Sequence, residues 1–281
     1  MSESYQNYRK VEDTVHTNFK DRMSYGDYLH LDSVLNAQHL LTDEHDEMLF
    51  VIIHQASELW MKLASHELSA AINYVEKDKY GPAFKVISRV KMILNQLTQS
   101  WSILSTLTPT DYLRFRDKLG RSSGFQSYAY RKIEFLLGNK NAKHIKVHRH
   151  DKGVYDELDA ALNAPSLYDT VIRKLHETGF DIDEHKLQRD FSQPYEINDS
   201  VMQAWLQVYK NTDKYFDLYE LAEKLVDIED AFQQWRFKHM YTVQRIIGNR
   251  MGTGGSSGVP FLRKALDISF FPELLALRTH L

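Results

Sequence analysis

Phe50 and His54 stand four residues apart in the run "LFVIIH", a spacing that puts both on one face of a helix. A histidine inside an apolar run is costly to bury unless it is hydrogen-bonded. His54 is therefore either a satisfied core residue or a group turned towards a pocket. Tyr112 and Arg116 repeat the spacing in "YLRFRDK", where an arginine by itself reads as solvated or paired with an acid such as Asp117. In "DAFQQWRFKHMYTVQRIIG", His239 falls on a mostly apolar stripe with Phe232, Trp235 or Arg236, Val243 and Ile246. Such a histidine suits axial ligation of haem, whose faces need apolar walls; it equally suits a core position.

The loop "MGTGGSSGVP" stands out in a chain of 281 residues that contains only 12 glycines, because Gly252, Gly254, Gly255 and Gly258 are crowded into it. Neither nucleotide motif fits. The dinucleotide fingerprint would need a third glycine where Ser257 stands, and a phosphate loop would need a lysine that is absent. What remains is a linker, or a loop that closes over a ligand with its amide N–H groups and the hydroxyls of Thr253, Ser256 and Ser257.

Other clusters suggest less. His144, His148 and His150 have spacing that could hold zinc, but their Lys/Arg-rich surroundings read as solvated surface. The acids of "DEHDE" at 43–47 lack the glycine of a calcium loop and suit a helix N-terminus. No Glu-x-x-His occurs, which argues against a di-iron bundle. Cysteine is absent, removing thiolate sites and disulfides together, so any metal or haem must be held by His, Tyr, Met or carboxylates.

The elements that must position these residues are helices. Periodicity at three and four residues predicts helices over 25–41, 42–77, 82–105, 108–120 and 122–139, two long ones over 199–248, and a terminal one beyond the glycine loop. Residues 1–24 read as a polar arm, and 139–200 as shorter, less regular helices on a single all-α domain spanning 1–281. A hydrophobic fraction of 43% is ample for a core, and a net charge of −3 without a basic stripe argues against nucleic-acid binding. No apolar run is long enough to span a membrane, and the N-terminus has no apolar signal core, so a cytoplasmic location is expected.

Taken together, "YGDYLHLDSVLNAQ", "HDEMLFVIIHQASELWMKL", "FRDKLGRSSGFQSYAYRKIE", "WRFKHMYTVQRIIG" and "GTGGSSGVPFLRKAL" resemble the tryptophan 2,3-dioxygenases, in family order and over nearly the whole chain. The resemblance implies a haem b enzyme that inserts both atoms of O2 across the indole C2–C3 bond of L-tryptophan. The product is N-formyl-L-kynurenine, which opens the kynurenine route. It implies that His239 is the haem iron ligand, and that Phe50, Val51, Ile52, Ile53 and His54 wall the substrate, with His54 on the distal side. Arg116 would grip the substrate carboxylate, Tyr112 would line the pocket, and Thr253 would bind the amino-acid end beneath a flexible lid. The family is a homotetramer in which an N-terminal segment reaches a neighbour's active site, and Tyr25, Tyr28 and Leu29 match that segment. The alternative from another class is a non-catalytic helical protein that binds haem or another ligand.

Overall fold

The computed structural model describes residues 7–281 of the chain; the first six residues of the polar arm lie outside the described residues. Two compact units are present, residues 1–40 and residues 41–281. No strand occurs among the described residues, and no helix is long and apolar enough to cross a membrane. The chain is all-α.

The first unit carries two short helices, α1 (Tyr25–Leu29) and α2 (Leu31–Leu35), rather than one helix over 25–41. Ser24 and Asp27 form a capping box that starts α1. His30 then adopts a left-handed conformation with φ of 49°, which ends α1 and enters α2.

The second unit is built on α3 (His45–Glu76), α4 (Tyr80–Leu104), α5 (Pro109–Arg116) and α6 (Tyr128–Leu137). It continues with α7 (Lys152–Asn163), α8 (Leu167–Glu177), α9 (Glu184–Leu187), α10 (Asp199–Lys210), α11 (Phe216–Ile247), α12 (Val259–Lys264) and α13 (Pro272–Ala276). The helix expected from residue 42 begins at His45. Glu44 is the cap residue of α3, while the Glu47 carboxylate reaches back to accept from the Leu41 and Thr42 amides, each at 2.8 Å. Between α3 and α4, Asp78 takes a φ of 54°, and Pro82 is tolerated in the first turn of α4, where its missing N–H has no helical partner to lose.

α4 packs against both α3 and α11, and α3 also meets α5, α6 and α8. Their shared seam is a continuous core that includes Ile53, Leu68, Ile87, Leu94, Leu97, Phe115, Trp205, Leu225 and Phe232. Burial of each large side chain of this kind is worth about 1.5–3 kcal/mol. A smaller cluster of Phe135, Ile145, Leu158 and Leu162 holds α7 to α6. The expected single terminal helix is broken. Ile268 is extended, and Phe271 precedes Pro272, a position that disfavours helix.

Candidate functional site

The α3 helix turns Phe50 and His54 to one side, their rings 4.3 Å apart. α5 meets them there, with Phe50 at 5.8 Å from Tyr112 and 5.6 Å from Phe115. His54 Nδ1 lies 2.7 Å from the Phe50 carbonyl oxygen. A carbonyl only accepts, so Nδ1 carries the proton and Nε2 keeps its lone pair. Burial lowers the His54 pKa, which keeps the ring neutral and preserves that acceptor.

His239 projects from α11 between two indoles. Trp101 of α4 stacks on it at 4.6 Å with planes 14° apart, and Trp235, one turn earlier on α11, lies at 5.3 Å. Burial and the nearby His54 push its pKa down to about 4. His239 is therefore neutral near pH 7, the form that can donate a lone pair to a metal. No hydrogen bond fixes either ring nitrogen of His239 among the described residues, and the buried Trp101 Nε1 beside it has no partner. An unclaimed imidazole lone pair flanked by aromatic rings, with a spare donor at its margin, fits a haem edged with carboxylates. It does not fit a multi-ligand metal ion, and no cluster of three ligating side chains exists among the described residues.

Arg116 ends α5 without an ion pair to Asp117 or to any other acid among the described residues. Its Nη2 donates to the Met251 carbonyl at 2.8 Å, its side chain lies within hydrogen-bonding reach of the Tyr112 hydroxyl, and its buried Nε has no partner. The guanidinium thus keeps donor capacity beside Tyr112 and Met251.

The glycine loop is closely packed beside Arg116. Thr253 Oγ1 donates to the Ser122 carbonyl at 2.5 Å. A Cβ on Gly254 would sit 2.6 Å from Ser123 Cβ, so only glycine lets the loop lie on that segment. Gly258 has φ of 70° and would place a Cβ 2.5 Å from the Arg250 carbonyl oxygen. The sequence suggested glycine for mobility and for close approach, and close approach is what Gly254 and Gly258 permit.

The structure brings together Phe50, His54, Tyr112 and Arg116, and sets Arg116 against the loop that carries Thr253. Ile53 turns into the core behind them, and Ile52 is 46% exposed on the outer face. Five consecutive helical residues span more than a full turn, so they cannot form one wall. Tyr25, Tyr28 and Leu29 lie in the first unit, the tyrosines 75% and 69% exposed. The surface reading of "HIKVHRH" is corrected: His150 is exposed, but His148 is only 5% exposed and His144 is half-buried. The segment His144–His148 is a 3₁₀ turn, whose three-residue period separates positions four apart. The sequence reading missed Trp101, Phe115, Ser122 and Ser123. They come from other elements, and no spacing links them to His239 or Thr253.

The chain is thus all-α and sets one neutral histidine beside Phe50, with Tyr112 and Phe115 next to that ring, and another between Trp101 and Trp235, with the guanidinium of Arg116, which has no acid partner among the described residues, beside Tyr112. The family model for tryptophan 2,3-dioxygenase matches residues 10–165 and 163–281, and the chain belongs to this family. It is 69% identical to the tryptophan 2,3-dioxygenase of Shewanella woodyi over 275 residues, covering 98% of this chain and 96% of that protein. Similar relationships hold with the tryptophan 2,3-dioxygenases of Bacillus cereus strain ZK (57% over 271 residues, 96% and 97% covered) and Geobacillus thermodenitrificans (56% over 276 residues, 98% and 99% covered).

Proposed function

We infer that the chain is a haem-dependent dioxygenase that adds both atoms of O2 across the C2–C3 bond of L-tryptophan to give N-formyl-L-kynurenine. The observation that carries the site assignment is the pairing of an unclaimed, neutral His239 with a neutral His54 whose free nitrogen is an acceptor. Haem, when bound, supplies the dioxygen chemistry that no protein side chain provides. His239 would hold its iron, with Trp101 and Trp235 fixing the plane of the imidazole.

The protein's own part is to bind and orient. His54 Nε2 accepts the indole N–H, which sets the rotation of the ring and aims its C2–C3 edge at the haem. Phe50, Val51 and Tyr112 flank the indole. The free donors of Arg116 pair with the substrate carboxylate. Thr253 exchanges its bond to Ser122 for one to the amino-acid end of the substrate. Water excluded by the loop would strengthen these charged contacts. The exposed Tyr25, Tyr28 and Leu29 would complete a neighbouring subunit's pocket in a homotetramer, which accounts for large apolar side chains left open to solvent.

The test is an absorbance spectrum of the purified protein with and without L-tryptophan, followed by an assay for formylkynurenine. A Soret band that shifts with tryptophan, and product that forms with O2, are expected. A colourless protein would overturn the haem assignment. A coloured protein without turnover would make it a haem carrier instead.

A further inference from the structure

α11 carries Glu229, Gln233 and Arg236 at spacings of four and three, one helical face below His239. All three grip residues 268–271, the non-helical stretch that begins with the extended Ile268. The Glu229 carboxylate accepts from the Phe270 amide at 2.7 Å, the Phe271 amide at 3.1 Å and the Ser269 hydroxyl at 3.1 Å. Gln233 and Arg236 both donate to the Ile268 carbonyl, at 2.7 Å and 2.8 Å. The Arg236 guanidinium lies between the rings of Phe232 and Phe270, at 4.7 Å and 4.8 Å. Its other arm reaches Glu134 of α6 at 3.4 Å, where Tyr130, Arg131 and Asn139 also converge. Glu229 and Arg236 are almost fully buried.

The glycine loop and α12 leave the end of α11 at Ile247 and return to the same helix at this clasp. Both ends of the segment are therefore fixed to the element that carries His239. The Glu134 contact adds α6, which directly follows the Ser122–Ser127 stretch on which Gly254 and Thr253 rest.

We propose that Glu229, Gln233 and Arg236 are positioning residues that set the glycine loop relative to the His239 helix, and so hold Thr253 and the Met251 carbonyl where the substrate's amino-acid end docks. The docking part rests on the function proposed above. The clasp itself does not.

The experiment uses full-length protein, with and without haem, carrying Glu229→Gln or the milder Gln233→Leu. Amide hydrogen exchange is read across the chain, and KM and kcat for tryptophan are measured on the haem-loaded forms. Loss of one buried hydrogen bond should raise exchange of the 251–257 amides about two- to tenfold and raise KM by a similar factor, with kcat held within about twofold. Amides of α3 and α4 should not change. If Glu229→Gln does not fold, Gln233→Leu decides alone, because it removes a single donor from a half-buried position. Unchanged exchange in the loop would overturn the proposal. A uniform rise across α3 and α4 would also overturn it, by making the clasp merely structural. Faster loop exchange with unchanged KM would leave the clasp standing and overturn the reading that the loop holds the substrate.

Discussion

Arg116 gives one Nη to the Met251 carbonyl, approaches the Tyr112 hydroxyl, and leaves its Nε without a partner in a buried position. A guanidinium left in that state gains most from a carboxylate that arrives with a ligand, because a bidentate pair satisfies the donors that the fold does not. Removing one partner of such a shielded pair costs about 2–5 kcal/mol. Arg116→Ala is therefore expected to erase most of the preference for tryptophan over tryptamine in kcat/KM, leaving haem content unchanged. A variant that still prefers tryptophan as strongly as the parent would show that the carboxylate binds elsewhere. His239→Ala should abolish stable haem binding in a folded helical protein, checked by Soret absorbance and far-UV circular dichroism. The helices that carry His54, Arg116 and His239 were legible from the period of the sequence, whereas the roles expected of these residues came only from the family resemblance, Arg116 by itself reading as solvated or paired with Asp117. Trp101 was not, since its relation to His239 exists only once α4 lies against α11.

The short elements are governed by local chemistry that the sequence displays less openly. Lys140 is 1% exposed, and its ammonium donates to the carbonyls of Ala161, Leu162 and Ala164 at 2.6, 3.1 and 2.9 Å. These are carbonyls at the C-terminal end of α7 that have no helical donor, so a lysine twenty residues away supplies the cap. Lys140→Met would leave them unsatisfied, at about 1–3 kcal/mol for a buried group that loses its partner. A lowered Tm with unchanged kcat is expected, and calorimetry beside a turnover assay checks both. Likewise, a single terminal helix was expected, and neither its break before Pro272 nor the reason for the non-helical residues 268–271 was read from the sequence. Glu229 takes their amides, and that pairing joins positions about forty residues apart.

At the scale of the whole molecule, buried histidines couple stability to pH. Burial, reinforced by Arg131, depresses the pKa of His144 below its ordinary value of 6.5, and burial with His150 and Arg131 does the same for His148. The unfolded chain therefore binds protons more readily than the folded one as pH falls below about 6.5, so this contribution is intact above that value and lost beneath it. Urea midpoints of the haem-free protein should fall between pH 7.5 and 5.5, and less steeply for His148→Phe; equal slopes would remove His148 as a cause. Removing residues 1–29 should impair turnover more than it lowers the Tm of the remaining chain, with sizing chromatography and activity compared on one sample. Full activity in a truncated monomer would exclude a role for that segment in a neighbour's pocket.

The stacking of Trp101 on His239 joins residues separated by well over a hundred positions, and His239 itself comes late in a chain of 281 residues. Contacts so distant in sequence form slowly and late in folding. During synthesis, α3 and α4 leave the ribosome long before α11, and until it arrives their apolar seam faces water. On the function proposed above, in which His239 holds the haem iron, a growing chain would carry no iron ligand until its translation is almost complete.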